Sequence, residues 1–354
     1  MTVALVTLAG MAVLMGLRAY FLSPEGWSAL APDEAQRAWH ALQVTQGRVI
    51  YRDVWVQYTP LSFYWHALAF WIFGPSLAAI RLALVATGTL TLALVASAAS
   101  RLGGSRAAVT AGVLFLTFGV PSYNSGYPAW EAMVLSMGAL AIVLRWRSHR
   151  SAFAAGLLVG LSMMTKINVG ALSSLALAAV YASGCSRLVR MAVGLGSMAV
   201  MAWLLRSMPP AESLVQFLLP LGAVLAVLMW RNPHQNSFRS LLAAVTGCAL
   251  ACIVVLAPFA LTLGASPVLN AVIGEPLRFS RLIAYDSPIL RLGLPVYGTM
   301  ACWVAALTIP FVARRLKPVA LAAAVGGVIL LLLDACGLLP GLTMGARFLM
   351  APVV

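Results

Sequence analysis

Long apolar runs separated by short polar connections dominate this chain, and the pattern predicts helices that cross a bilayer. Eleven spans are expected, at about 3–22, 77–99, 107–120, 130–144, 152–166, 168–184, 191–206, 213–230, 240–263, 293–312 and 319–339. The pair from 152 to 184 is short, about 16 residues each or about 24 Å, which suggests a recessed outer cavity or a locally thinned bilayer. One further run, residues 61–73 (LSFYWHALAFWIF), reaches only about 20 Å as a helix against a hydrocarbon core of about 30 Å. It is expected to lie in the outer interface instead, where the rings of Tyr64, Trp65, His66 and Trp71 are favoured. The expected architecture is an all-α polytopic membrane protein, a single domain over 1–354. Residues 23–76 form a first outer loop carrying interfacial helices, and no separate soluble domain is visible.

Composition changes the picture by exclusion. A chain that is 62% hydrophobic and 9% charged, with a mean hydropathy of +0.95, has too few polar side chains to cover a soluble domain. The net charge of +14 does not read as a nucleic-acid face, because the basic residues fall in short clusters between apolar runs. Arg101, Arg106, Arg145, Arg147, Arg150, Arg187, Arg190, Arg231, Arg239, Arg314, Arg315 and Lys317 share one set of connections with no acid among them. The opposite set holds Glu25, Asp33, Glu34, Asp53, Glu131, Glu212, Glu275 and Asp286 together with eight arginines. Positive residues stay in the cytoplasm, so the amino terminus is expected inside and the acidic loops outside. A spanning 61–73 would put the Asp33 loop on the side away from every later acidic loop, against that count.

Other features carry less. Ala29-Leu30-Ala31 resembles a signal-peptide cleavage site, but no positive charge precedes the apolar run and Arg18 interrupts it, so retention is expected. Cys185, Cys248, Cys252, Cys302 and Cys336 lie in or beside apolar segments without ligand spacing, as buried thiols do. The four histidines show no metal pattern, and there is no P-loop or dinucleotide fingerprint. Asp334, in LLLDACGLL, is the only acid away from the ends of a span. It suits either a proton or ion site, as in a transporter, or a neutral acid bonded to a neighbouring helix.

Candidate chemistry concentrates in the first polar loop. Glu25, Asp33, Glu34 and Asp53 are four of the nine carboxylates in the protein, gathered in one aromatic-rich stretch although acids are costly near a bilayer. Asp33 fits the cap of a short helix whose N3 position is Gln36, with Ala35, Ala38, Trp39 and Leu42 on the membrane surface. It equally fits a general base, since a carboxylate at the start of an interfacial helix is fixed and faces water. The two roles are compatible.

The order Asp33-Glu34, Gly47-Arg48, Tyr51-Arg52-Asp53, Thr59-Pro60-Leu61, Tyr64-Trp65, Phe73-Gly74 and Arg81-Leu82 resembles the amino-terminal half of polyprenyl-phosphate-dependent glycosyltransferases of GT-C fold. The likeness is to the family 39 branch, which includes protein O-mannosyltransferases and aminoarabinose transferases. It continues through Arg101–Arg106, Glu131 and Gly160-Leu161 to Thr165-Lys166, covering about residues 25–180. The resemblance implies an enzyme of the bacterial-type inner (plasma) membrane. It would transfer a hexose or pentose, with inversion, from a polyprenyl-phosphate donor to a lipid, glycan or protein acceptor on the extracytoplasmic face, with no nucleic acid involved. It names no cofactor and leaves a divalent cation open.

Residue by residue, the resemblance implies a catalytic acid at Asp33 with Glu34 beside it, and a second carboxylate at Glu131, where relatives more often have Asp. Tyr58 stands where some relatives offer a lysine to the lipid phosphate, so other cations are needed. Lys166, Arg52, Arg278 and Arg281 are the candidates, with Asp53 beside Arg52. Lys166 also fits simple snorkelling to the interface, as do Arg18 and Arg81. Two readings without glycosyl transfer stay beside this one: a transporter or lipid flippase, marked by internal repeats and interrupted spans, and a membrane scaffold, which needs no water-facing carboxylates.

Overall fold

The computed structural model describes residues 2–21, 31–56, 58–116, 127–204, 206, 222, 238–276 and 278, with backbone alone for 15–21, 31–33 and 204. Ten helices occupy them almost entirely: α1 (Thr2–Phe21), α2 (Ala31–Thr45), α3 (Leu61–Phe73), α4 (Leu77–Leu114), α5 (Pro128–Arg145), α6 (His149–Thr165), α7 (Ile167–Ala182), α8 (Arg187–Leu204), α9 (Phe238–Leu263) and α10 (Ala265–Leu269). A π-helical turn, Asn270–Gly274, follows α10. These belong to one compact unit, residues 1–204 and 221–282; a second unit contains 205–220 and 283–353, of which only Arg206 is described. The expected spans 213–230, 293–312 and 319–339, and with them Asp334, Cys302 and Cys336, lie outside the described residues.

This is a membrane protein. Among the described residues three helices are long and apolar enough to cross, α4, α5 and α9, and α1, α3 and α7 add shorter apolar stretches. The described residues therefore do not reach the eleven spans read from hydropathy. The individual helices do match the expected runs closely: α9 starts two residues before 240, and α3 covers the expected 61–73.

α4 is two helices in one. Gly103 (φ −143, ψ 15) and Gly104 (φ 75, ψ −165) break it, and the left-handed φ of Gly104 is one that a side chain would resist. The chain then doubles back, since a Cβ on Gly112 would meet both Leu92 and Val6 of α1. The turn separates the expected spans 77–99 and 107–120. It also sends Arg101 and Arg106 to the end of the bundle where α5 finishes at Arg145 and α6 begins at His149. His149 Nδ1 lies 2.9 Å from Ser240 Oγ, tying the start of α9 to that end. The connections from α5 through α8, residues 146–148, 166 and 183–186, are short, so these successive helices alternate direction.

Small residues set the closest packing. Along α6, Gly156 and Gly160 meet the α9 backbone, and a Cβ on either would overlap the carbonyl of Ala244 or Cys248. Gly247 answers from α9 against the Phe153 carbonyl. In a bilayer, where no hydrophobic force presses helices together, such close approach supplies the van der Waals attraction. Buried hydroxyls add to it. Ser136 of α5 lies 2.9 Å from Ser162 of α6 and accepts from Ser173 of α7 at 2.8 Å, while Ser162 donates to the Ala132 carbonyl at 2.9 Å. Gly156→Val should therefore lower detergent stability by about 2–3 kcal/mol, as overpacking does. Gly196→Val, where a Cβ meets nothing within 4 Å, should not. Equal melting temperatures for the two variants would contradict the packing described.

The other end of the bundle is closed by α2, the loop after it and α3. Val44, Ile50, Val54, Val56, Phe63 and Ala67 form a core with Phe259 of α9 and with Val268 and Val272 beyond it. Ala41, Phe70, Ala79 and Ile80 bind α2, α3 and the start of α4 together. α3 thus runs among elements of one end and leaves Trp65, Leu68, Trp71, Ile72 and Phe73 exposed on its outer side. One expectation needs correction: α2 begins at Ala31, so Asp33 lies inside its first turn and not before it as an N-cap.

Candidate functional site

The start of α2 packs against the start of α4, and this juxtaposition decides what Glu34 can do. Glu34 is buried at 5% exposure, and its carboxylate accepts from Arg81 Nη2 at 2.9 Å and from Arg81 Nε at 3.2 and 3.3 Å. Arg81 does not snorkel; it anchors α4 to α2 through a buried ion pair. Losing either partner of such a pair costs about 3–5 kcal/mol, because the other charge is left stranded.

One turn beyond Glu34, Arg37 turns into the protein. It is 4% exposed, and its guanidinium lies between two rings, 4.7 Å from the Tyr58 centroid and 4.6 Å from that of Tyr127. Lys166 Nζ lies 5.1 Å from the same Tyr127 ring. Two cations from distant parts of the chain therefore share one aromatic ring, an attraction of about 0.5–2 kcal/mol each. Arg37 Nε and Nη1 are buried without a hydrogen-bond partner, and among the described residues no carboxylate forms an ion pair with this guanidinium. A buried charge in that state costs several kcal/mol, a cost that a bound anion offsets.

Among the described residues the lining of the adjacent cleft carries no acid. Gln36, Arg37, His40, Trp55, Val56, Tyr58 and Phe63 surround it. Burial, and then the neighbouring Arg37 charge, pull the His40 imidazole down to about 4 against an opposing backbone hydrogen bond at Trp55. His40 is neutral at neutral pH, so the positive potential beside Tyr58 comes from Arg37.

Tyr127 caps the start of α5, and Glu131 sits one turn below it on the same face. Glu131 is 6% exposed; its Oε1 lies 3.0 Å from Nε2 of His66, which α3 brings in from the other side. The carboxylate is near enough to Lys166 to act on its ammonium electrostatically. Glu131, Lys166, Arg37, Tyr58 and Tyr127 thus form one cluster at the closed end of the bundle.

Other candidates lie apart from it. Arg52 and Asp53 pair with each other in solvent, Nη2 to Oδ2 at 2.9 Å, and Asp53 also accepts from the Val49 amide at 2.8 Å. Those bonds from Arg52 and from the Val49 backbone hold the Asp53 carboxyl down to about 2. The pair staples a tight turn in which Tyr51 takes a left-handed φ of 71°. Tyr51 then donates its hydroxyl to the Tyr58 carbonyl at 2.9 Å, which helps hold Tyr58 beside Arg37. Arg278 is exposed and donates to Glu275 at 2.9 Å. Arg281 lies outside the described residues, as do Glu25 and Asp286, and only the backbone of Asp33 is described.

Sequence reasoning missed Arg37, Tyr127 and the contact between His66 and Glu131. Arg37 had one available signal: it follows Glu34 by three positions in an amphipathic helix, on the side where Ala41 packs into the core. Among the described residues no three His, Cys, Asp or Glu side chains cluster as metal ligands.

No family model matches the chain, and no curated protein does. Among solved structures it is similar to the crystal structure of the Archaeoglobus fulgidus oligosaccharyltransferase, a complex with zinc and sulfate. The identity is 16% and the TM-score 0.40, over 90% of this chain and 43% of that one. The chain spans less than half the length of that protein. A similarity of this size assigns no family.

Proposed function

We propose that this protein is a membrane glycosyltransferase of GT-C-like architecture, with about eleven spans and a cytoplasmic amino terminus. It moves a sugar from a polyprenyl-phosphate carrier to a hydroxyl of a lipid, glycan or protein acceptor on the extracytoplasmic face. The observation that carries the reading is Arg37: a buried guanidinium between two tyrosines, with bare donors and Lys166 beside it, at the end of the bundle that also holds Glu131 and the first turn of α2. A lipid phosphate supplies the anion such a site lacks, and the sugar it carries is then held near the carboxylates.

The chemistry follows from charge. Asp33 takes the proton as the acceptor O–H bond breaks, the acceptor oxygen bonds to the anomeric carbon, and the bond from that carbon to the phosphate oxygen breaks with its pair on the phosphate. Arg37 and Lys166 stabilise the charge that grows there, which is where preorganised cations contribute most. Glu34 is committed to Arg81, and Arg278 has Glu275, so neither is assigned to the reacting groups. Arg52 and Asp53 act through the turn that delivers Tyr58.

Mass spectrometry of glycolipids and glycans from a strain lacking the gene is the direct test. One missing sugar, restored by the wild-type gene but not by Asp33→Asn, is the expected result. An unchanged glycan complement, with polyprenyl phosphate redistributed between leaflets, would instead make this chain a lipid transporter.

A further inference from the structure

His66 has a place in the site that its sequence context does not announce. It is 1% exposed on the inner face of α3, while its neighbours Trp65 and Leu68 face outward. Its Nε2 meets Glu131 Oε1 at 3.0 Å across 65 positions of sequence. The two remaining polar atoms of the pair, His66 Nδ1 and Glu131 Oε2, are buried with no hydrogen-bond partner. Glu131 lies one turn below Tyr127, whose ring receives Arg37 and Lys166. One carboxylate oxygen is therefore spoken for, and the other is bare at the edge of the cation cluster.

We infer that His66 is a positioning residue for Glu131, holding Oε1 so that Oε2 accepts a hydrogen bond from a hydroxyl of the bound sugar or acceptor. This rests on the glycosyl-transfer reading. A lone glutamate on a helix has three side-chain torsions to choose from, and one bond to a ring fixed in a packed core removes that freedom. The reach is specific. Aspartate is shorter by one carbon–carbon bond, about 1.5 Å, and at residue 131 it would fall outside hydrogen-bonding distance of His66. The remaining acceptor, Oε2, is costly to bury unsatisfied, and a substrate hydroxyl supplies the missing donor.

The test compares His66→Leu, His66→Gln, Glu131→Asp and the double variant His66→Leu/Glu131→Asp in nanodiscs. Turnover in His66→Leu should fall about tenfold or more while the Kd for undecaprenyl phosphate stays close to wild type, and the melting temperature should fall as well, because the buried Glu131 carboxylate loses the His66 hydrogen bond. His66→Gln keeps an amide N–H for Oε1 and should recover turnover to within about threefold of wild type. Glu131→Asp should match His66→Leu, and the double variant should be no worse than either, because both remove one interaction. Wild-type turnover in His66→Leu, or additive losses in the double variant, would overturn the assignment. So would a fall in lipid affinity that parallels the fall in turnover, or a failure of His66→Gln to recover turnover. Difference infrared spectra over a pH titration read the pairing without turnover: carboxylate bands identified by their loss in Glu131→Gln should shift in His66→Leu. Unmoved bands overturn the inference whatever the reaction. Shifted bands in a wild-type protein that transfers no sugar would keep the pairing and overturn the glycosyltransferase reading.

Discussion

Asp33→Asn should lower turnover by roughly 10² to 10⁴ while leaving the protein folded and able to bind polyprenyl phosphate. The substitution keeps the size of the side chain and removes its basicity, so the acceptor hydroxyl loses its proton acceptor. Position matters here: residue 33 is in the first turn of α2, where a negative charge also suits the helix dipole, a smaller effect of about 0.3–1 kcal/mol on stability. Glu34→Gln makes the control. Its carboxylate is locked to Arg81, so that variant should unfold at lower temperature by the equivalent of about 3–5 kcal/mol, and what remains folded should turn over substrate. Rates with the glycolipid donor found in the deletion strain, set beside thermal unfolding of each variant, separate the two acids. An Asp33→Asn protein with wild-type turnover would remove Asp33 from the chemistry.

Arg37→Met should weaken binding of polyprenyl phosphate by about ten- to a hundredfold and at the same time raise the melting temperature of the lipid-free protein. The two signs have one cause. A buried guanidinium with bare Nε and Nη1 destabilises the empty site, and an apolar side chain of similar length removes that cost. In the complex the same donors make charge-assisted bonds worth about 1.5–3 kcal/mol, which is about one to two decades in affinity. Lys166→Met should lose a comparable amount of binding with a smaller gain in stability, because the Glu131 carboxylate already acts favourably on the Lys166 ammonium. Isothermal titration in nanodiscs with undecaprenyl phosphate measures the first effect and a thermal melt the second. Weaker binding with lowered stability would mean that Arg37 is a core residue and not an anion site.

His66 and Glu131 show why part of the site could not be found in one dimension. Each looks ordinary along the chain: His66 among interfacial aromatics, Glu131 at the start of a span. Their meaning depends on α3 bringing His66 to the first turn of α5, a contact that no periodicity encodes. Arg81 illustrates the same limit from the other direction. Hydropathy treats an arginine one turn inside a span as a snorkelling cation, whereas the packing of α2 on α4 gives it Glu34 across 47 positions.

Helix positions, the membrane class and the separation of arginine-rich from acid-rich connections were determined by the sequence itself. Each is a sum over neighbouring residues: hydropathy accumulates along a contiguous run, and the length of residues 61–73 sets the reach of α3 before any packing is considered. The tertiary structure decided which charges are paired and which are left for a ligand. Burial and partner distance together set the cost of a charge, and both arise only when helices far apart in sequence meet. Glu34 is thereby satisfied by Arg81, Arg52 and Asp53 by each other in solvent, and Arg37 is left between two tyrosines with no acid to answer it among the described residues.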